Sequence, residues 1–203
     1  MNTRLPLEDV TVISLEQAAA APLCTRRLAL AGAEVIKIER PEGDFARGYD
    51  SAVGGQSSYF VWLNGGKKSV VLDLKQTAAL DQLKALLDQS DVLVQNLKPG
   101  ALEGLGLDLN ELHAERPSLI SVSITGFHPD TSVADRKAYD LLMQAESGLA
   151  AITGSSHEAG RVGVSIVDAA TGMFAYEAVL EALLSRAQSG TGARDNSASS
   201  TAS

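Results

Sequence analysis

The chain has 203 residues, 45% of them hydrophobic, and a formal net charge of −8. That length suffices for one good core or a core plus part of another, and the hydrophobic share excludes both a disordered and a membrane-like chain. The acidic balance argues against nucleic acid as a general partner and leaves room for a local basic site for a small anion.

In chain order, VTVISL (10–15) is β-branched and uncharged and predicts a buried parallel strand. AAAAPLCTRRLALAGA follows with a helical pattern that Gly32 closes as a C-cap, and EVIKIERP (34–41) predicts a second strand stopped by Pro41. This is a βαβ unit, so the crossover is expected to be right-handed. SVVLDL (69–74) predicts a third strand, and TAALDQLKALLDQS (77–90) a helix with Leu80, Leu83, Leu86 and Leu87 on one face. DVLVQN (91–96) predicts a strand broken by Pro99-Gly100, DLNELHAERP (108–117) a short helix capped by Asp108, and LISVSITGF (119–127) another strand. A Leu- and Ala-rich helix is expected over 138–147, then a loop with Gly154 and Gly160. GVSIVDAATGMFAY (163–176) reads as a short buried strand that turns into a helix at Asp168. AVLEALLSRAQSG is amphipathic, whereas TGARDNSASSTAS has no apolar period and predicts a disordered tail from residue 193. The β-α alternation predicts an α/β fold, an open, mostly parallel Rossmann-like sheet with flanking helices.

The single Cys24 excludes an internal disulfide and reads as a buried filler of a helix, since no histidine lies near it in sequence. His113, His128 and His157 lack metal-ligand spacing, so no metal is expected. Trp62 and Phe60 read as core anchors. The start, MNTRLPLEDV, lacks an apolar signal region, and no apolar run reaches the ~18 residues of a membrane span; a cytoplasmic protein without membrane partners is expected.

Ligands of open α/β sheets bind outside the carboxyl ends of the strands. EQAAAAP follows the first strand with no G-x-G-x-x-G, which argues against NAD. After later strands come Glu39 and Arg40, then Lys75, then Asn96 and Lys98, then Arg136 and Lys137. Each cation alone reads as a solvated charge; their recurrence points to a phosphate-rich ligand. Asp168 has two readings. It is a helix N-cap, or it is a carboxylate that the helix N-terminus keeps ionised as a nucleophile, with Ala169, Ala170 and Gly172 leaving space for a bulky substrate.

Six stretches, in order, carry a resemblance: GAEVIKIERPEGD (32–44), LNGGKKSVVLDLK (63–75), DVLVQNLKPGALEGLGL (91–107), SITGF (123–127), KAYDLLMQAESGLAAITG (137–154) and GVSIVDAATGMFA (163–175). Together they are similar to the class III (CaiB/BaiF) CoA-transferases. The resemblance implies an acyl-CoA:carboxylate CoA-transferase with coenzyme A and acyl-CoA as substrates, a carboxylic (dicarboxylic) acid as the other substrate and no prosthetic group. It implies Asp168 as catalytic nucleophile. For CoA it implies Ala19 and Ala20 after the first strand, Arg40 near the adenosine, Leu72 and Lys75 of LDLK, Asn96, Leu97 and Lys98, and Arg136, Lys137, Ala138 and Tyr139. Gly104 stands where some members carry a basic residue. The α-methylacyl-CoA racemases of the same family are similar too; they have a histidine where AYD (138–140) has Tyr139, which favours the transferase. Family members are homodimers of interlocked, longer chains. The resemblance therefore assigns residues 1–192 to the CoA-binding part of a large domain, truncated before the family's small domain, with 193–203 as a non-family tail. An inactive CoA-binding fragment is the alternative reading.

Overall fold

The computed structural model describes residues 4–128, 131–134 and 136–198. Its centre is a six-stranded sheet in the order β3-β2-β1-β4-β5-β6, parallel at every pairing. The strands are β1 (Thr11–Leu15), β2 (Glu34–Glu39), β3 (Lys68–Val71), β4 (Val92–Gln95), β5 (Ile120–Thr125) and β6 (Arg194–Ala198). Register is fixed by facing apolar pairs such as Val12 with Val35 and with Val92. The order runs outward in both directions from β1 and β4, and this switch point is where such sheets bind ligands. The α/β, Rossmann-like expectation is borne out.

Alternate residues of each strand feed two cores. On one face Val12, Val35, Val94 and Ile124 pack under α1 (Ala20–Leu30) and α8 (Ile166–Ser189). On the other Ile13, Leu15, Ile38 and Leu93 pack under α3 (Thr77–Leu87) and α5 (Leu109–Glu115). Leu83 and Leu87 are fully buried, as the leucine face of α3 predicts. Asp108 caps α5, accepting from Asn110 N at 2.6 Å. Gly32 follows α1 at φ +108, a conformation that a Cβ resists. The remaining helices are α2 (Ser58–Asn64), α4 (Ala101–Gly104), α6 (Asp140–Glu146) and α7 (Leu149–Thr153). Among the described residues no helix is long and apolar enough to cross a membrane.

Four expectations are corrected. Residues 163–165 form no strand, and Val164 is exposed; one short apolar run cannot hold a strand without a neighbour to pair with. Trp62 is 48% exposed on α2, so it is not a core anchor; Leu63 takes that place. Asp168 is not the N-cap of α8, which begins two residues earlier. The disorder expected from residue 193 does not hold over Arg194–Ala198, which extends the sheet along β5. Parallel pairing is carried by the backbone and needs no apolar alternation in the added edge strand. Residues 199–203 lie outside the described part.

Candidate active site

Three clefts open at the carboxyl ends of the strands and share walls across the β1–α1 loop. The first, about 190 Å³, has an apolar lining that includes Ile38, Leu72 and Leu97, with the exposed cations Arg40 and Lys75 also on its walls. The second, about 180 Å³, lies at the switch point between Gln17–Ala20, Asn96, Tyr49 and Tyr139. The third, about 400 Å³, is apolar and lies between Leu23, Tyr59, Trp62 and Val164. Gln17 borders the first and second, and Ala19 and Asp168 border the second and third.

The shared loop is held from both sides. Asn96 exchanges two hydrogen bonds with the Gln17 backbone, its Oδ1 accepting from Gln17 N and its Nδ2 donating to Gln17 O, both at 2.9 Å. Ala18 has φ +64, a left-handed conformation rare for a residue with a Cβ, and its N–H donates to Asp44 Oδ1 at 3.2 Å. Beneath the loop lies a buried ionic network. Lys37 Nζ sits 2.6 Å from Asp44 Oδ2 and donates to Asn64 Oδ1 at 3.0 Å. Lys67 Nζ sits 2.6 Å from Glu16 Oε1, and Thr25 Oγ1 donates to Glu16 Oε2 at 2.6 Å. Two lysines thus balance two carboxylates out of water. Burial pulls the Lys67 ammonium pKa down against the attraction of Glu16. Alongside, burial pushes Glu39 up, but hydrogen bonds from Arg47, Ser69 and Asp44 N overcome it and hold the carboxyl at about 2.

Asp168 occupies the first turn of α8. It stands inside that turn rather than before it, and the free amides of the turn are taken from another helix: Asp140 Oδ1 accepts from Val167 N at 2.8 Å and from Asp168 N at 3.2 Å. The Asp168 carboxylate accepts no hydrogen bond from the described residues and borders two clefts. Burial, and after it the charge of Asp140, push its pKa up to about 6 from the ordinary 3.8. The expectation that the helix N-terminus holds it low is therefore corrected, because the second carboxylate occupies that terminus. At neutral pH the group is still mostly ionised, yet poorly solvated, which suits a nucleophile. The space expected at Gly172 is filled: a Cβ there would meet Ala20 O at 2.5 Å and Leu23 Cβ at 2.9 Å, so this glycine lets α8 approach α1.

The sequence-predicted positions divide into three groups. Arg40, Leu72, Lys75 and Leu97 line the first cleft. Ala19, Ala20, Asn96, Ala138, Tyr139 and Asp168 line the second. Lys98, Arg136 and Lys137 are exposed and line none of the three. Arg136 instead pairs with Glu146 and lies 5.4 Å from the Phe127 ring centroid. Gly104 is exposed, next to Leu105 of the first cleft. Cys24 is buried, and burial raises its thiol pKa far above the reactive range. Sequence reasoning missed Lys37, Asp44, Asp140 and Gln144. The one available signal was a lysine at the centre of an otherwise apolar strand, VIKI.

A family model for CoA-transferase family III matches residues 7–199, which extends the family past the tail expected at 193. The chain is 37% identical to human succinyl-CoA:glutarate CoA-transferase, over 95% of this chain and 44% of that one. It is 36% identical to succinate–glutarate CoA-transferase of Agrobacterium fabrum, over 94% and 50%. It superposes on the crystal structure of a CaiB/BaiF family protein from Brucella suis with a TM-score of 0.92 and 34% identity, over 97% of this chain and 54% of that one. The chain spans about half the length of the relatives it matches. With the family model matched over nearly the whole chain, the chain belongs to CoA-transferase family III.

Proposed function

We propose that residues 1–192 carry the CoA-binding cleft and the nucleophile of an acyl-CoA:carboxylate CoA-transferase. The observation that carries this reading is the Asp168 carboxylate, left without hydrogen-bond partners among the described residues at the border of two clefts while Asp140 caps its helix. The cleft at Arg40 and Lys75 suits the phosphorylated nucleotide end of CoA, and its wall at Gln17 leads to the cleft at Asp168, where the thioester would lie.

The chemistry is then an exchange of activated carboxyls. Asp168 Oδ attacks the thioester carbonyl, the C–S bond breaks, and CoA thiolate leaves a mixed anhydride. The thiolate attacks the aspartyl carbonyl and releases the donor acid as its carboxylate, giving an aspartyl-CoA thioester. The acceptor carboxylate attacks that thioester and expels thiolate, which attacks the acceptor's acyl carbon and regenerates Asp168. Nothing is oxidised, and water has to be kept from the anhydride. Short dicarboxylic acids are the proposed acids, following the names of the relatives at 36–37% identity. The racemase reading is less supported: it needs a second acid–base group, and among the described residues no histidine lines either cleft at Asp168.

The test is trapping. Incubation with succinyl-CoA followed by hydroxylamine or borohydride should mark Asp168, mapped by mass spectrometry, and Asp168→Asn should abolish the mark. It should be run on this chain and on a chain extended to the length of the relatives. A label elsewhere in both, or normal turnover of the extended chain with Asn at 168, sinks the assignment. A label in the extended chain alone makes this chain an inactive CoA-binding fragment.

A further inference from the structure

We propose that Asp140 is a positioning residue for Asp168: reaching across from α6, its carboxylate takes the free amides at the start of α8, leaving the Asp168 side chain out of the cap and facing the clefts. The catalytic significance of this rests on the transferase reading above; the geometry does not.

An aspartate in the first turn of a helix ordinarily turns its carboxylate toward the unpaired amides there and is stabilised by the helix dipole. Asp168 does not, because another side chain holds them. Asp140 Oδ1 accepts from Val167 N at 2.8 Å and Asp168 N at 3.2 Å. The other oxygen, Oδ2, accepts from Gln144 Nε2 at 2.7 Å, one turn along α6. Gln144 is 1% exposed, and its Oε1 accepts from Val162 N at 2.8 Å. Asp140 and Gln144, spaced i and i+4 on one helix face, therefore pin the segment from Val162 to Asp168. Ser165, the residue at the formal cap position, makes no capping bond; its Oγ instead lies 3.3 Å from the Tyr59 hydroxyl.

The arrangement sets two carboxylates against each other. Burial first, and then the charge of Asp140, raise Asp168 to about 6. The other titratable groups facing it are phenols: Tyr49, itself pushed up to about 12 by burial and then by nearby acids including Asp168, and Tyr59 and Tyr139 on the cleft walls. Among the described residues no lysine, arginine or histidine lines either cleft to offset the repulsion. A carboxylate kept out of its cap and beside a like charge gains most by forming a covalent ester-type bond, since that removes its charge.

The experiment reads Asp168 directly, without CoA. The full chain is labelled with carboxyl-¹³C aspartate, and the Asp168 signal is the one lost in Asp168→Asn. Its titration is followed by NMR in the wild type, Asp140→Asn and Asp140→Ala. The first keeps an oxygen for the amides and removes only the charge; the second also frees the amides for Asp168. The Asp168 midpoint should fall toward the ordinary carboxylate range in both, by up to about one pH unit in Asp140→Asn and further in Asp140→Ala, where its carboxylate can turn into the cap. A residue that merely stabilised α6 would lower the melting temperature and leave that midpoint where it was. An unmoved midpoint in folded variants overturns the proposal. A midpoint that falls while acyl-CoA labels neither this chain nor the extended one supports the positioning and sinks the transferase reading instead.

Discussion

Asp168 shows how a site can be built against stability. Its carboxyl is raised from 3.8 to about 6, so the folded state resists the charged form. Between those values the folded protein holds a proton that the unfolded chain has released, and stability falls as pH rises through the window. Above pH 6 the folded protein carries the whole penalty, about 2 kcal/mol after allowance for partial exposure. Asp168→Asn removes the charge and nearly keeps the shape. It should therefore be more stable than wild type by about 2 kcal/mol at pH 8, with most of the gap gone at pH 4. Urea denaturation at the two pH values checks this, and a variant less stable than wild type at pH 8 refutes it. A carboxylate that served as the cap of α8 would show no such gain, since Asn caps a helix about as well as Asp. The sequence offered both roles for Asp168 and could not separate them, because the residue that takes over the cap lies 28 positions away on another helix.

At the scale of elements, the strands and the long helices were legible because their signals are local. VTVISL and DVLVQN are continuous β-branched runs, and α3 carries its leucines at helical spacing. Helix α2 was not legible: in SYFVWLN the aromatics mark neither period, and its exposed Trp62 faces a cleft. Its contribution is Asn64, which ties both Lys37 and Lys67 beneath the β1–α1 loop. That network joins β2, the segment after it, α2 and the loop, so its members are invisible until the chain is folded. Removing one partner should be costly in a way that removing both is not. Lys37→Met leaves Asp44, 0% exposed at its side chain, without its counterion. Such a break costs ~3–5 kcal/mol, and Lys37→Met with Asp44→Asn should recover part of it. Denaturant midpoints of Lys37→Met, Asp44→Asn and the double variant test this, and a double loss equal to the sum of the two single losses would mean that the pair is not coupled. In the surviving fold, Ala18 would also be freer to leave its left-handed conformation, since Asp44 is its hydrogen-bond partner.

At the scale of the molecule, the sheet order brings loops from all along the chain to one end, so residues as distant as Gln17, Asn96 and Asp168 border a single cleft. Reading strand ends found most of that cleft, because the carboxyl ends of parallel strands all point the same way. It failed at the last strand, where composition was the only guide. Arg194–Ala198 is polar up to its final alanine, yet it pairs with β5 over five residues from Ser121–Arg194 to Thr125–Ala198. The approach is fixed before the strand begins, by Gly192 N donating to Pro117 O at 2.7 Å and Ser121 N donating to Ala193 O at 2.9 Å. Arg194 adds a 2.6 Å hydrogen bond from Nη1 to Asn110 Oδ1 on α5. β5 itself is fully buried over Ile120, Val122 and their neighbours. Deleting residues 194–203 would turn β5 into an edge and leave its ladder groups to water on one side. With each backbone hydrogen bond worth ~0.5–1.5 kcal/mol net, the loss comes to about 2–3 kcal/mol once the ordering entropy of the strand is returned. For a chain of this size that lowers the melting temperature by about 5–10 °C. Hydrogen exchange should report the same event locally, with β5 amides losing protection while those of β1 and β2, two and three strands further in, keep theirs. An unchanged melting temperature, with β5 protection intact, would show that the edge strand contributes nothing and that the sheet effectively ends at β5.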